Sequence, residues 1–328
     1  MRIGTVLLET PLGPVQRVAV RTPFGIVDAT AARICALEKT LPEAAALRVG
    51  AAQVPPNLVD VIATGPQAME WIRESVDGVG SLGQERTAGG MRTTYEAHEV
   101  KLLSPIPRPP GIACFVTWPA HIQDSREKGF TMLNFPPLDG DMRAYYKANP
   151  DSVIGTGEPL RLPSYADEYD VECEFAAIVG NAKSDLTADE ARRAIAGYCI
   201  YNDVSFRTMQ NKEMAFGLGP AKGKDADYGN VLGPWMVTPD EIGDVHDLTM
   251  SFHLNGVEQS SYSTSKMAWD HADLLSYLSR GQTLRPGHIL TSGCYPGGSA
   301  LDLGIKLAAG DEVEMRIDTL GAITNSLS

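Results

Sequence analysis

The stretch Tyr169-Asp-Val-Glu-Cys-Glu-Phe-Ala-Ala-Ile-Val-Gly180 decides how the 328-residue chain is read. As a strand, its period of two sets Glu172 and Glu174 on one face and Val171, Cys173 and Phe175 on the other. A purely apolar run follows, so the strand enters a core. Two like charges are costly there unless a cation neutralises them. Oxygen ligands of this kind suit Mg²⁺, Mn²⁺ or Ca²⁺. Glu312 and Glu314 repeat the spacing near the C-terminus, so spacing alone does not separate a metal site from a solvated acidic stripe.

Working outward, Tyr198 to Ser205 reads as another apolar strand, and Asp203 stands at its end, where side chains emerge at a sheet margin. It is a candidate third ligand, or a turn residue of the kind Asn-Asp pairs often supply. His121 lies in Trp118-Pro-Ala-His-Ile-Gln-Asp124. A helical turn starting at Pro119 brings Asp124 at i+3 within its reach, and a carboxylate that orients an imidazole makes a general base. A surface histidine at a helix start is the plainer reading. No HxxxH or HExxH pair and no GxSxG elbow occurs, which argues against zinc hydrolases and serine hydrolases. Gly78-Val-Gly80-Ser-Leu-Gly83 matches GxGxxG but follows a helical stretch, so it reads as a loop. Gly217 to Asp225 lacks phosphate-loop glycine spacing, leaving Lys222 and Lys224 as cations in a glycine-rich loop, either for an anion or simply solvated.

The chain is 43% hydrophobic and 21% charged, with a formal net charge of −13. That is a globular composition that repels nucleic acid and anionic membranes. Five cysteines without CxxC spacing read as reduced, mostly buried thiols, and no run is long enough for a membrane span, so a cytoplasmic protein is expected. Residues 1–30 read as strands around a Pro23–Gly25 turn, with helices at about 31–40 and 65–77. Four prolines between Ser104 and Gly111 forbid helix, and a boundary is expected there: a small α+β domain over 1–104 and a catalytic domain over 105–328. Beyond it, Thr187 and Glu190 form a capping box for a helix ended by Gly197. Val231–Thr238 and Glu312–Asp318 read as strands, and 267–280 as a helix.

The ordered segments Tyr145-Tyr-Lys-Ala-Asn149, Tyr169–Gly180, Asn202-Asp-Val-Ser-Phe-Arg-Thr-Met-Gln210, Gly219-Pro-Ala-Lys-Gly-Lys-Asp225, Leu232–Thr238, Arg285-Pro-Gly-His and Gly310-Asp-Glu-Val-Glu together resemble the fumarylacetoacetate hydrolase superfamily. The resemblance runs from about Gly111 to the C-terminus. It implies a mainly β fold with α/β elements, a mixed β-sandwich roll, usually as a homodimer. It also implies Mg²⁺ or Mn²⁺ on Glu172, Glu174 and Asp203, with Ca²⁺ possible in crystals. Lys222 would be the family's active-site lysine, His121 with Asp124 its catalytic dyad, and Arg207, Gln210, Lys147 and Cys294 substrate contacts. Three positions depart from the pattern: Asp124 replaces a glutamate, Thr208 an aspartate, and Cys294 a threonine.

The expected reaction is hydrolysis of a carbon–carbon bond in a small anionic β-diketo acid such as an acylpyruvate, through an enolate held by the metal. Decarboxylation, hydration or isomerisation of a 2-oxo acid would use the same residues. A non-catalytic metal or carboxylate binder is the remaining alternative.

Overall fold

The computed structural model describes residues 1–80, 86–127, 140–180 and 183–328. Its large mixed sheet runs in the order Thr94–Tyr95, Gly25–Asp28, Val15–Thr22, Arg2–Leu8, Asn230–Val237, Ile195–Asp203, Cys173–Val179, Ile289–Thr291, Ile112–Phe115, Tyr145–Ala148. Ile289–Thr291 lies parallel to Ile112–Phe115; the other neighbours in this order are antiparallel. A second, antiparallel sheet joins Val257–Ser263, Thr249–Leu254, Glu312–Ile317 and Gly321–Ser326. The chain is thus mainly β with α/β elements, as expected.

Cys173–Val179 is buried along its whole length because both its faces are covered. Cys173, Phe175, Ala177 and Val179 join the core shared with the second sheet, which includes Met250, Phe252 and Met315. Ala176 and Ile178 enter another core, with Leu58, Val61, Ile72 and Met236. A strand packed on two sides needs apolar residues at both parities, which explains the continuous run. The strand starts at Cys173, and Glu172 makes only an isolated bridge to Ser299.

The expected hairpin around Pro23–Gly25 forms between Val15–Thr22 and Gly25–Asp28. Helices span Ala29–Glu38 and Pro66–Gly80, and two more, Glu43–Gln53 and Leu58–Thr64, were not anticipated. The glycine pattern at 78–83 is not simply a loop: Gly78 and Gly80 close the helix Pro66–Gly80, and residues 81–83 lie outside the described residues. The Thr187–Glu190 capping box is present, but its helix ends at Ala194 rather than Gly197. Gly197 lies in the next strand, where a Cβ would come within 2.5 Å of Met236 Cγ and 2.7 Å of the Val237 carbonyl oxygen. Close strand packing, not helix termination, requires that glycine. The helix expected at 267–280 spans His271–Leu278, capped by Asp270.

The proline-rich segment is not an exposed linker. Ser104, Pro105 and Ile106 are buried, and Thr5 Oγ1 donates to the Pro105 carbonyl at 2.8 Å. Arg2–Leu8 pairs with Asn230–Val237, so sheet and core continue across residue 104.

All five cysteines are buried. Among the described residues no helix is long and apolar enough to cross a membrane.

Candidate active site

Ile195–Asp203 runs antiparallel to Cys173–Val179 with Asn202 opposite Cys173 and Tyr201 opposite Glu174. This register brings the start of one strand and the end of the other to the same sheet margin. Ligand atoms of Glu172, Glu174 and Asp203 consequently lie within 4.8 Å of one another, and all three residues are buried. They line a cavity of about 230 Å³ together with His121, Arg207, Gln210, Lys224, Cys294 and Tyr146.

Two buried cations sit among these acids. Lys224 Nζ donates to Glu172 Oε2 at 2.6 Å and to Ser205 Oγ at 2.8 Å, and lies 2.8 Å from Asp203 Oδ2. Arg207 donates to Asp170 Oδ2 at 2.6 Å, to Glu172 Oε1 at 2.7 Å and to Gln210 Oε1 at 2.9 Å. The Tyr146 hydroxyl donates to Asp203, and the Gly293 N–H donates to Glu174 Oε2 at 3.0 Å.

The electrostatics follow from this placement. Burial alone would raise Glu172, but Arg207 and Lys224 overcome it and hold this carboxyl well below its usual range. Burial, then Asp203 and Glu172, pushes Glu174 well above it. Asp203 is pushed up to about 6, chiefly by burial, against the pull of Lys224. Burial would lower Lys224, yet Asp203 and Glu172 raise it above the ordinary lysine value. Among the described residues, the buried lysine and arginine paired with Asp170, Glu172 and Asp203 are Lys224 and Arg207; with Glu174 counted as well, four ionised acids against these two cations leave two negative charges in the cluster. A hard divalent cation supplies the matching charge, and the all-oxygen donor set fits Mg²⁺ or Mn²⁺.

The base pair differs from expectation. His121 sits in the helix Pro119–Glu127, but its Nδ1 lies 2.8 Å from Oδ2 of Asp302, a buried loop residue. Asp302 is therefore the carboxylate in contact with this imidazole, in the role expected for Asp124. The Gly297 N–H holds the same oxygen at 3.1 Å.

The two loop lysines also take different places. Lys222 is 58% exposed and pairs with Asp225 at 3.3 Å, whereas Lys224 is 5% exposed and reaches the acids. Gly223 explains the geometry: a Cβ there would lie 2.6 Å from Gln210 N and Cα, so the loop packs directly on the helix Arg207–Met214. That contact turns the following side chain inward. Lys147 lies exposed on the strand Tyr145–Ala148 and is not among the cavity-lining residues. Arg207, Gln210 and Cys294 do line the cavity. Thr208 instead binds Glu168 through its backbone N–H and its hydroxyl, both at 2.8 Å.

The profile described as Fumarylacetoacetate (FAA) hydrolase C-terminal matches residues 113–328, and the chain belongs to this family. It is 36% identical over 194 residues to 2,4-didehydro-3-deoxy-L-rhamnonate hydrolase of Sphingomonas sp. (strain SKA58), covering 58% of this chain and 67% of that one. It is 29% identical over 272 residues to a mitochondrial oxaloacetate tautomerase of Xenopus laevis, covering 82% of each. Maleylpyruvate hydrolase from Sphingobium sp. SYK-6, solved with manganese(II) and pyruvate, shares the fold with a TM-score of 0.68 at 21% identity, over 100% of this chain and 98% of that one. The relatives named here are enzymes, hydrolases or a tautomerase.

Proposed function

We propose that the chain is a divalent-metal-dependent hydrolase that cleaves a carbon–carbon bond in a small β-diketo acid. The observation that carries this reading is the His121–Asp302 pair, whose half-buried imidazole lines the same cavity as three clustered carboxylates. Mg²⁺ or Mn²⁺ held by Glu172, Glu174 and Asp203 would supply Lewis acidity toward the 2-oxo acid end of the substrate. His121, oriented through Nδ1 by Asp302, takes a proton from the water that attacks the distal carbonyl and returns it to the departing carbon. Lys224 and Arg207 keep Glu172 ionised and fix its two oxygens in opposite directions. Gln210, held by Arg207 through Oε1, can turn its amide N–H toward a substrate oxygen.

A second reading is supported by the tautomerase relative, whose match covers 82% of both chains. The same imidazole would move a proton between carbon and enol oxygen without water. An acylpyruvate panel and oxaloacetate, each assayed with and without Mn²⁺ or Mg²⁺, separate the readings. Two acids released per turnover support hydrolysis, enol–keto exchange alone supports tautomerisation, and CO₂ release supports decarboxylation. No metal-dependent turnover of any of them would refute the catalytic reading.

A further inference from the structure

We propose that His121, Cys294 and Asp302 form a second metal site in this cavity, one that takes a borderline-soft divalent ion, Zn²⁺ or Co²⁺. One ligand atom from each of these residues lies within 4.8 Å of the others. They offer a nitrogen, a sulfur and an oxygen, whereas Glu172, Glu174 and Asp203 offer oxygen alone. Thiolate and imidazole ligands discriminate in favour of zinc-like ions and against Mg²⁺ or Ca²⁺. Three protein ligands with a fourth position open is the common stoichiometry of an accessible zinc site.

The surroundings suit such a site. His121 and Cys294 both line the cavity, which gives an ion a route in. Cys294 and Asp302 are buried and belong to one loop after the strand Ile289–Thr291, so both are placed before any ion arrives. That loop is pinned at several points: Gly293 N–H to Glu174, Gly297 N–H to Asp302 Oδ2, and the Asp302 N–H to Ser299 Oγ at 3.0 Å. His121 comes from a different element, the helix Pro119–Glu127, so the site closes between loop and helix. Binding would release the Cys294 thiol proton to solvent as the sulfur–metal bond forms.

The consequence for activity rests on the function proposed above. An ion held by His121 and Asp302 removes the base from catalysis, so Zn²⁺ would inhibit the enzyme while Mg²⁺ or Mn²⁺ activates it. Two chemically different clusters in one cavity would make turnover depend on which metal is abundant.

Co²⁺ tests the site directly, because only thiolate ligation produces an intense sulfur-to-cobalt charge-transfer absorption in the near ultraviolet. The protein, saturated with Mg²⁺, is titrated with CoCl₂. The expected result is one charge-transfer band saturating at one equivalent, lost in Cys294→Ser and displaced by Zn²⁺. In His121→Ala, which keeps the thiol, the titration midpoint should rise at least ~10-fold, the scale on which disturbing a metal site changes affinity. No band in the unmutated protein, an undiminished band in Cys294→Ser, or an unchanged midpoint in His121→Ala would overturn the site. If the band forms as described but Zn²⁺ leaves turnover of the Mn²⁺-loaded enzyme unchanged, the site is supported and the role given to His121 and Asp302 in catalysis is refuted.

Discussion

Exchanging Lys224 or Lys222 for methionine puts the charge balance of the cavity to a quantitative test. Lys224→Met removes an ammonium that lies 2.6 Å from Glu172 Oε2 and 2.8 Å from Asp203 Oδ2. In a metal-free protein Arg207 is then the buried arginine or lysine left, among the described residues, against Asp170, Glu172, Glu174 and Asp203. Unit charges 4 Å apart interact by ~4 kcal/mol at an effective dielectric near 20. Removing one partner of a buried ion pair costs ~3–5 kcal/mol. Part of this is recovered, because Glu174 and Asp203 are already raised and take up protons readily. A loss of ~3 kcal/mol remains, which lowers the thermal midpoint by about 4–5 °C for a chain of this size. Lys222→Met removes a 58% exposed partner of Asp225 and should cost ~0–1 kcal/mol.

The assay is thermal unfolding of both variants in chelator at pH 7.5, repeated with saturating Mn²⁺. The ion should raise the midpoint of Lys224→Met more than that of the parent, since it neutralises a larger excess of negative charge. The catalytic constant should fall with Lys224→Met and stay within a few-fold with Lys222→Met. Equal midpoints for the two variants, or a larger loss at Lys222, would refute the inward placement of Lys224 and the charge count built on it.

Three further outcomes are expected. Asp302→Asn should lower turnover by roughly 10²–10⁴-fold, the range for losing a positioned base, while Asp124→Asn stays within a few-fold in steady-state kinetics across pH. Glu174→Gln should weaken Mn²⁺ binding by at least ~10-fold in calorimetry, because it removes one of three clustered carboxylates. Asp28, the N-cap of the helix Ala29–Glu38, is pushed up from 3.8 to about 6 chiefly by burial, against the pull of the Ala31 N–H and Arg17. The native state therefore binds more protons than the unfolded chain between about pH 4 and 6, and stability falls as pH rises through that window. Asp28→Asn keeps a capping side chain, so denaturant unfolding should show little difference from the parent near pH 4 and a gain of up to ~3 kcal/mol above pH 6.

What the sequence revealed of the site follows a physical division between local period and tertiary approach. Glu172 and Glu174 were legible because a strand's alternation fixes which residues share a face, and the apolar run beyond them signalled burial. One more step of the same period reaches Asp170, which Arg207 binds, so that residue was within reach of the same argument. Glu312 and Glu314 show where the argument stops. Their spacing is identical, yet Glu312 is exposed and Glu314 pairs with Arg316, so environment decides the role of the acids. Asp302 lies 181 residues from His121 and carries no local pattern toward it; only the course of the loop after Ile289–Thr291 brings it there. The choice between Lys222 and Lys224 turned on Gly223 packing against Gln210, a contact between elements that no periodicity within the loop encodes. The same dependence governs Gly197, read as a helix stop but needed for the approach of Met236. Local chemistry thus nominated the acids, while the cations and the orienting carboxylate were assigned by the packing of one element on another.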